Sequence, residues 1–139
     1  MGLLHDIGKL ILIQILSELK GKSDALRELD TSQLFAMLRE FHGQFGAVLL
    51  KRWNFSQGMI YIAMHHDHID KIKSKSPDIL TIDFANILVK SMGYTIGQQE
   101  EIDVEQAVST GLLKIDSATI AEISGRVKEQ MDELKGALS

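Results

Sequence analysis

A chain of 139 residues that is 45% hydrophobic and 24% charged is long enough to bury one core and calls for no second domain. Its formal net charge of -4 comes from scattered rather than clustered Lys, Arg and acidic residues, so it offers no basic face for nucleic acid or an anionic membrane. The absence of cysteine excludes a disulfide framework and any thiolate metal site, leaving His and carboxylate as the metal ligands and fitting a reducing, cytoplasmic setting. The apolar run LILIQIL is too short to span a bilayer, and His5, Asp6 and Lys9 interrupt the start where a secretory signal needs an uncharged core.

Apolar residues recur at three- and four-residue spacing in nearly every segment and Pro77 is the only proline, so the pattern predicts an all-α fold of about six to seven helices. The first helix is expected from Leu3 to Leu19, stopped at Lys20-Gly21, with GKSDALRELD as a mobile connection. Asp30 or Thr31 can cap a second helix, SQLFAMLREF, and a kink near His42-Gly43 would separate it from a third, HGQFGAVLLKRW. Ser56 caps QGMIYIAMHH, and the polar run DHIDKIKSKSPD is the main loop. Pro77 suits the first turn of DILTIDFANILVKSM, whose apolar residues lie almost all round and mark it as central; Gly93 closes it. VEQAVSTGLLK and a long helix from Ser117 to Leu138, capped by Asp116, complete the chain.

The chemistry begins with His5 and Asp6, which interrupt the apolar stretch LLHDIGKLIL. A carboxylate and an imidazole in such a stretch cost several kcal/mol unless they are paired or bind a metal. Neighbours on a helix point about 100° apart and can both reach one ion between them. Further ligands would have to come from His42, His65, His66, Asp67 and His68. In the fourth helix His65 stacks over Tyr61 and Ile62, and His66 over Ile62 and Ala63, both at a C-terminal end where the helix dipole favours a cation. Taken one at a time, each of these residues reads better as a hydrogen-bonded core or cap residue; only the combination points to a site.

That combination resembles the HD superfamily of metal-dependent phosphohydrolases and, within it, the HDOD signalling domains. The resemblance rests on LLHDIGKLIL, EFHGQFGAVLLKRWNFSQGMIYIAMHH and DFANILVKSMG, and extends through LLKIDSATIAEISGRV. It implies an HD-domain-like helical bundle over residues 1–139, with the first, third, fourth and fifth helices packed round the region of Asp6 and His65. The implied metal ligands are His5, Asp6, His42, His65 and His66, with Lys9 facing a phosphate. HD phosphohydrolases add a His from a helix upstream of the doublet and a later Asp. Here the chain starts just before the doublet and is expected to be the C-terminal part of a complete domain. The later Asp falls at Asn86, a poor ligand for a hard cation, although Asp83 stands one turn earlier. The Gly-Tyr-Pro signature of the cyclic-dinucleotide phosphodiesterases is missing after HHD.

The resemblance therefore implies a non-catalytic bacterial signalling domain with a degenerate metal site, which holds a divalent ion (Fe, Mn or Mg) weakly or not at all. The alternative is a metal-dependent phosphohydrolase acting on nucleotides or cyclic dinucleotides, completed by a partner segment. A protein partner or a second copy is expected on the apolar face of Ile7, Leu10, Ile11 and Ile15, which a complete domain would cover. Gly46 reads as a point of close helix packing, Trp53 as an anchor at the core or its edge, and Met37, Met59, Met64 and Met92 as gap-filling core residues. Ile120, Ile123, Val127, Met131, Leu134 and Leu138 form a seam suited to docking on the bundle or to pairing with another helix.

Overall fold

A computed structural model describes residues 1–96 and 101–138. Its helices are α1 (Ile7–Lys20), α2 (Asp24–Arg27), α3 (Thr31–Arg52), α4 (Gln57–His65), α5 (Pro77–Ser91), α6 (Val108–Leu113) and α7 (Ser117–Ala137). Among the described residues there is no strand, as the periodicity predicts. α3 is the spine: α1 packs along one side of it and α4 along another, α5 meets α4, and α6 lies on α5.

Most helix ends follow from local chemistry. Asp30 begins α3 with a capping box, its side chain accepting from the Gln33 N–H at 2.8 Å while the Gln33 side chain accepts from its own backbone at 2.9 Å. Ser56 and Asp116 cap α4 and α7 by accepting the N–H three residues on. Pro77 stands in the first turn of α5, where its missing N–H costs nothing.

Four expectations about the elements are corrected. α1 starts at Ile7 rather than Leu3, because the N–H groups of Leu4 and His5 fold back on the Met1 carbonyl at 2.9 and 3.1 Å. His5 and Asp6 therefore sit on a turn ahead of the helix. The connection after Gly21 is tied down: Arg27 of α2 donates to the Lys20 and Gly21 carbonyls at 3.2 and 2.9 Å and so covers the end of α1. α3 runs unbroken through the position of the expected kink. A Cβ on Gly43 would stand 3.0 Å from the carbonyl oxygens of both Ala63 and Met64, so this glycine serves the crossing of α3 with α4 rather than a bend. α6 begins only at Val108, after a turn in which Asp103 accepts from the Glu105 and Gln106 N–H groups.

Two apolar clusters hold the packing. Leu12, Leu16 and Leu38 seal α1 against α3, while Ile62, Ile69, Ile79 and Leu80 join α4, the loop after it and α5. At about 25 cal/mol per Å² of apolar surface removed from water, such side chains each contribute on the order of 1.5–3 kcal/mol. α1 crosses α3 at two glycines: a Cβ on Gly46 would already touch the Gly8 backbone at 3.4 Å. The close-packing reading of Gly46 is thus met. Trp53, 52% exposed against Phe55, and Met64 lie at the surface instead of in the core.

Candidate functional site

The two glycine crossings bring His42 and His66 together. Gly8 lets α1 lie against α3 at His42, and Gly43 lets α4 approach α3 one residue further on, next to the helix end that carries His66. Both imidazoles are buried. His42 Nδ1 lies 2.8 Å from the Leu38 carbonyl and 3.0 Å from that of Arg39, while His66 Nδ1 lies 3.2 and 3.1 Å from those of Ile62 and Ala63. A carbonyl only accepts, so Nδ1 carries the hydrogen and Nε2 is presented to the interior. His5 follows the same rule, with Nδ1 2.7 Å from the Gly2 carbonyl. Backbone bonds of this kind fix tautomer and ring orientation, as they do for imidazoles that ligate metals.

Two carboxylates face these nitrogens. The Nε2 atoms of His42 and His66 lie 3.3 Å apart, and Asp6 Oδ1 stands 3.4 and 3.3 Å from them. Asp67 Oδ2 is 3.2 Å from His42 and 3.7 Å from His66. His5 Nε2 approaches the other Asp6 oxygen at 3.5 Å. Donors bound to one ion at about 2.1 Å are separated by roughly 3.0–3.5 Å, so the spacing suits ligation. Among the described residues, His5, Asp6 and His66 form one group that could hold a cation, and His42, His66 and Asp67 form another.

One oxygen of each carboxylate, however, is already engaged, while Asp6 Oδ1 and His5 Nε2 are buried with no hydrogen-bond partner among the described residues. Lys9 donates to Asp6 Oδ2 at 2.6 Å, so the residue expected to face a phosphate faces the doublet's own aspartate. Asp67 Oδ1 accepts from the Asn86 amide at 2.7 Å and from the Lys90 ammonium at 3.1 Å. The residues thus fit a divalent cation in their nitrogen donors but not in their charge, since each acid already holds a lysine. Burial opposes ionisation of both acids, yet the ammonium groups, Lys9 at Asp6 and Lys90 at Asp67, help to hold both carboxyls far below the ordinary range. Burial pushes the His5 imidazole down, against the pull of Asp6.

The remaining sequence candidates separate cleanly. His65 lies against Tyr61 in a tilted contact, with ring centroids 4.5 Å apart; burial and the neighbouring His68 lower its pKa. It belongs to neither donor group, nor does His68. Asp83 is buried on α5 outside both groups, and burial pushes its carboxyl up. Asn86 does reach the site, as the motif context implied, but as a donor to Asp67. Lys90 is the functional residue that sequence reasoning missed. Its signal was the spacing Asn86-x-x-x-Lys90, which puts an amide and an ammonium on one face of α5. A cleft of about 630 Å³ opens beside the cluster, between the turn carrying His5 and Asp6 with Lys9 at the start of α1, and the face of α5 carrying Asn86, Val89 and Lys90. No helix among the described residues is long and apolar enough to cross a membrane.

Comparison with known proteins gives one match: the family model of the HDOD domain covers residues 1–69. No curated protein and no solved structure matches the chain.

Proposed function

Residues 1–69 belong to the HDOD domain family, and from that premise we propose that the chain is a non-catalytic regulatory interaction domain of bacterial signalling, working in the cytoplasm. One observation carries the reading: both carboxylates of the site are balanced by lysines of the same chain, Asp6 by Lys9 at 2.6 Å and Asp67 by Lys90 at 3.1 Å. Metal-assisted phosphoester hydrolysis needs a cation that lowers the pKa of a bound water and neutralises charge on the phosphoryl oxygens. A site in which each acid already shares its charge with a lysine, and whose expected later carboxylate is the amide Asn86, holds such a cation weakly. In the proposed role the cluster is a polar joint that fixes α1, α3, α4 and α5 relative to one another and gives the domain a defined surface.

That surface meets protein rather than nucleic acid, given the net charge of -4. Leu10 and Ile13 on α1 are 66% and 43% exposed, and Phe41, Phe45 and Val48 line the outer side of α3 at 38–67%. Apolar side chains in that number support a protein partner or a second copy. Sedimentation velocity at micromolar concentration tests the second copy: a concentration-dependent dimer is expected, and a strict monomer rules it out.

The second reading, a metal-dependent phosphohydrolase acting on nucleotides or cyclic dinucleotides and completed by a partner segment, is favoured by the three Nε2 atoms turned toward two carboxylates. The deciding experiment incubates the purified chain with Mn²⁺ or Fe²⁺ and a generic phosphodiester or a cyclic dinucleotide. We expect substoichiometric metal and turnover at background. Robust turnover abolished by Asp6→Ala would replace the regulatory reading with the enzyme.

A further inference from the structure

We propose that Lys90 is the built-in cation of this site: it occupies Asp67 in place of a divalent ion and sets how weakly the His42–His66 pair binds metal. The inference rests on the weak-metal reading above and names the residue responsible.

The two lysines of the cluster are not equivalent. Lys9 is three residues from Asp6 and can pair with it by local reach along the start of α1. Lys90 is twenty-three residues from Asp67 and meets it only through the fold. The side chain is brought there by α5, whose Ile79, Leu80, Phe84 and Leu88 are buried, and it is itself only 29% exposed. Asn86, one turn before, donates to the same Asp67 oxygen at 2.7 Å. Together they leave Asp67 Oδ2 as the oxygen that faces His42 and His66. An ion seated among His42 Nε2, His66 Nε2 and Asp67 Oδ2 would share its one carboxylate with an ammonium 3.1 Å from the other oxygen. Like charges on one carboxylate repel in a half-buried setting, where water screens them poorly. The arrangement thus satisfies the charge of Asp67 from within, and its lock is a single removable group.

The test uses Mn²⁺ alone, titrated into the full chain, with binding read by calorimetry and by loss of the free-ion electron paramagnetic resonance signal. Four proteins are compared: the unmodified chain, Lys90→Met, which keeps the length of the stem without the charge, Lys90→Gln, which keeps a donor without the charge, and Lys90→Arg, which keeps the charge. The expected result is weak binding by the unmodified chain and by Lys90→Arg, and affinity at least tenfold higher in both neutral variants. If Lys90→Met folds only once Mn²⁺ is added, that too supports the proposal, because the ion then supplies the missing charge. If Lys90→Met stays unfolded with Mn²⁺, Lys90→Gln decides. The proposal is overturned if the neutral variants fold and bind no tighter than the unmodified chain, if Lys90→Arg gains affinity equally, or if neither neutral variant folds even with Mn²⁺. Tight, stoichiometric Mn²⁺ on the unmodified chain would instead overturn the weak-metal reading itself, so the two failures are told apart by which protein binds.

Discussion

A methyl group at position 8 would overlap the carbonyl oxygen of His42 and come within 2.6 Å of the Gly46 nitrogen. Both obstacles are helix backbone, which cannot swing aside, so α1 would have to lift from α3 at the place where Asp6 meets His42. Gly8→Ala is therefore expected to lower stability by about 1–3 kcal/mol, the usual range for overpacking a tight contact. Gly58→Ala is the control, since a Cβ there meets nothing within 4 Å; removing a helical glycine at an open position should be neutral or mildly stabilising. Urea midpoints of the two variants check the pair, and equal midpoints would show that the crossing has room to spare. At this scale the sequence was legible where a residue's consequence is local. His65 and His66 were not told apart: both were taken as ligands, and the structure puts only His66 in the cluster, leaving His65 beside half-exposed Tyr61. Lys90 was not legible, because its meaning depends on which acid the fold sets opposite it.

Helix starts were read correctly wherever a side chain makes the cap, at Asp30, Ser56 and Asp116, because the signal and the bond lie within four residues. Gly43 was misread as a kink because glycine has two uses, bending a helix and letting another come close, and only the neighbour decides between them. The helix stops show a related ambiguity. α3, α5 and α6 all end with a residue in the left-handed region: Asn54 at φ 62°, Gly93 at φ 87° and Lys114 at φ 56°. In each case the following N–H reaches back to a carbonyl five residues before it: Phe55 to Leu50, Tyr94 to Val89 and Ile115 to Thr110. Gly93 suits this conformation and Asn54 tolerates it, but Lys114 strains against its own Cβ. Lys114 is also exposed, so the side chain gives little back. Lys114→Gly should stabilise the chain by about 0.5–1 kcal/mol. Thermal melting would show this as a rise in Tm, and an unchanged or lower Tm would mean that the lysine earns its place through a contact beyond its own turn.

Which helices meet was the part least open to sequence reasoning. The first, third, fourth and fifth helices were expected to gather round Asp6 and His65; they gather round Asp6 and His66 instead, while α7 with its seam read as suited either to docking or to pairing. It has no buried residue. Its seam is half-covered at Ile120, Val127 and Met131 but opens toward the end, where Leu134 is 56% and Leu138 87% exposed. The period of the seam was right, yet period fixes only which residues share a face and not whether another element comes to cover it. A helix that gains so little from packing must lean on its own propensity, since most helical stability in proteins comes from packing, and Gly125 and Gly136 weaken that propensity. Native-state hydrogen exchange should therefore grade the molecule. Amides of α1 and α3 near the Gly8–Gly46 crossing should exchange slowest, near the rate set by global unfolding, and those from Met131 to Leu138 at least tenfold faster. If α7 also serves as a pairing surface, its protection should rise with protein concentration while that of α3 stays constant. Protection of α7 equal to that of α3 in dilute solution would show that the helix is held by something its exposure does not reveal, and would remove it as a candidate for pairing.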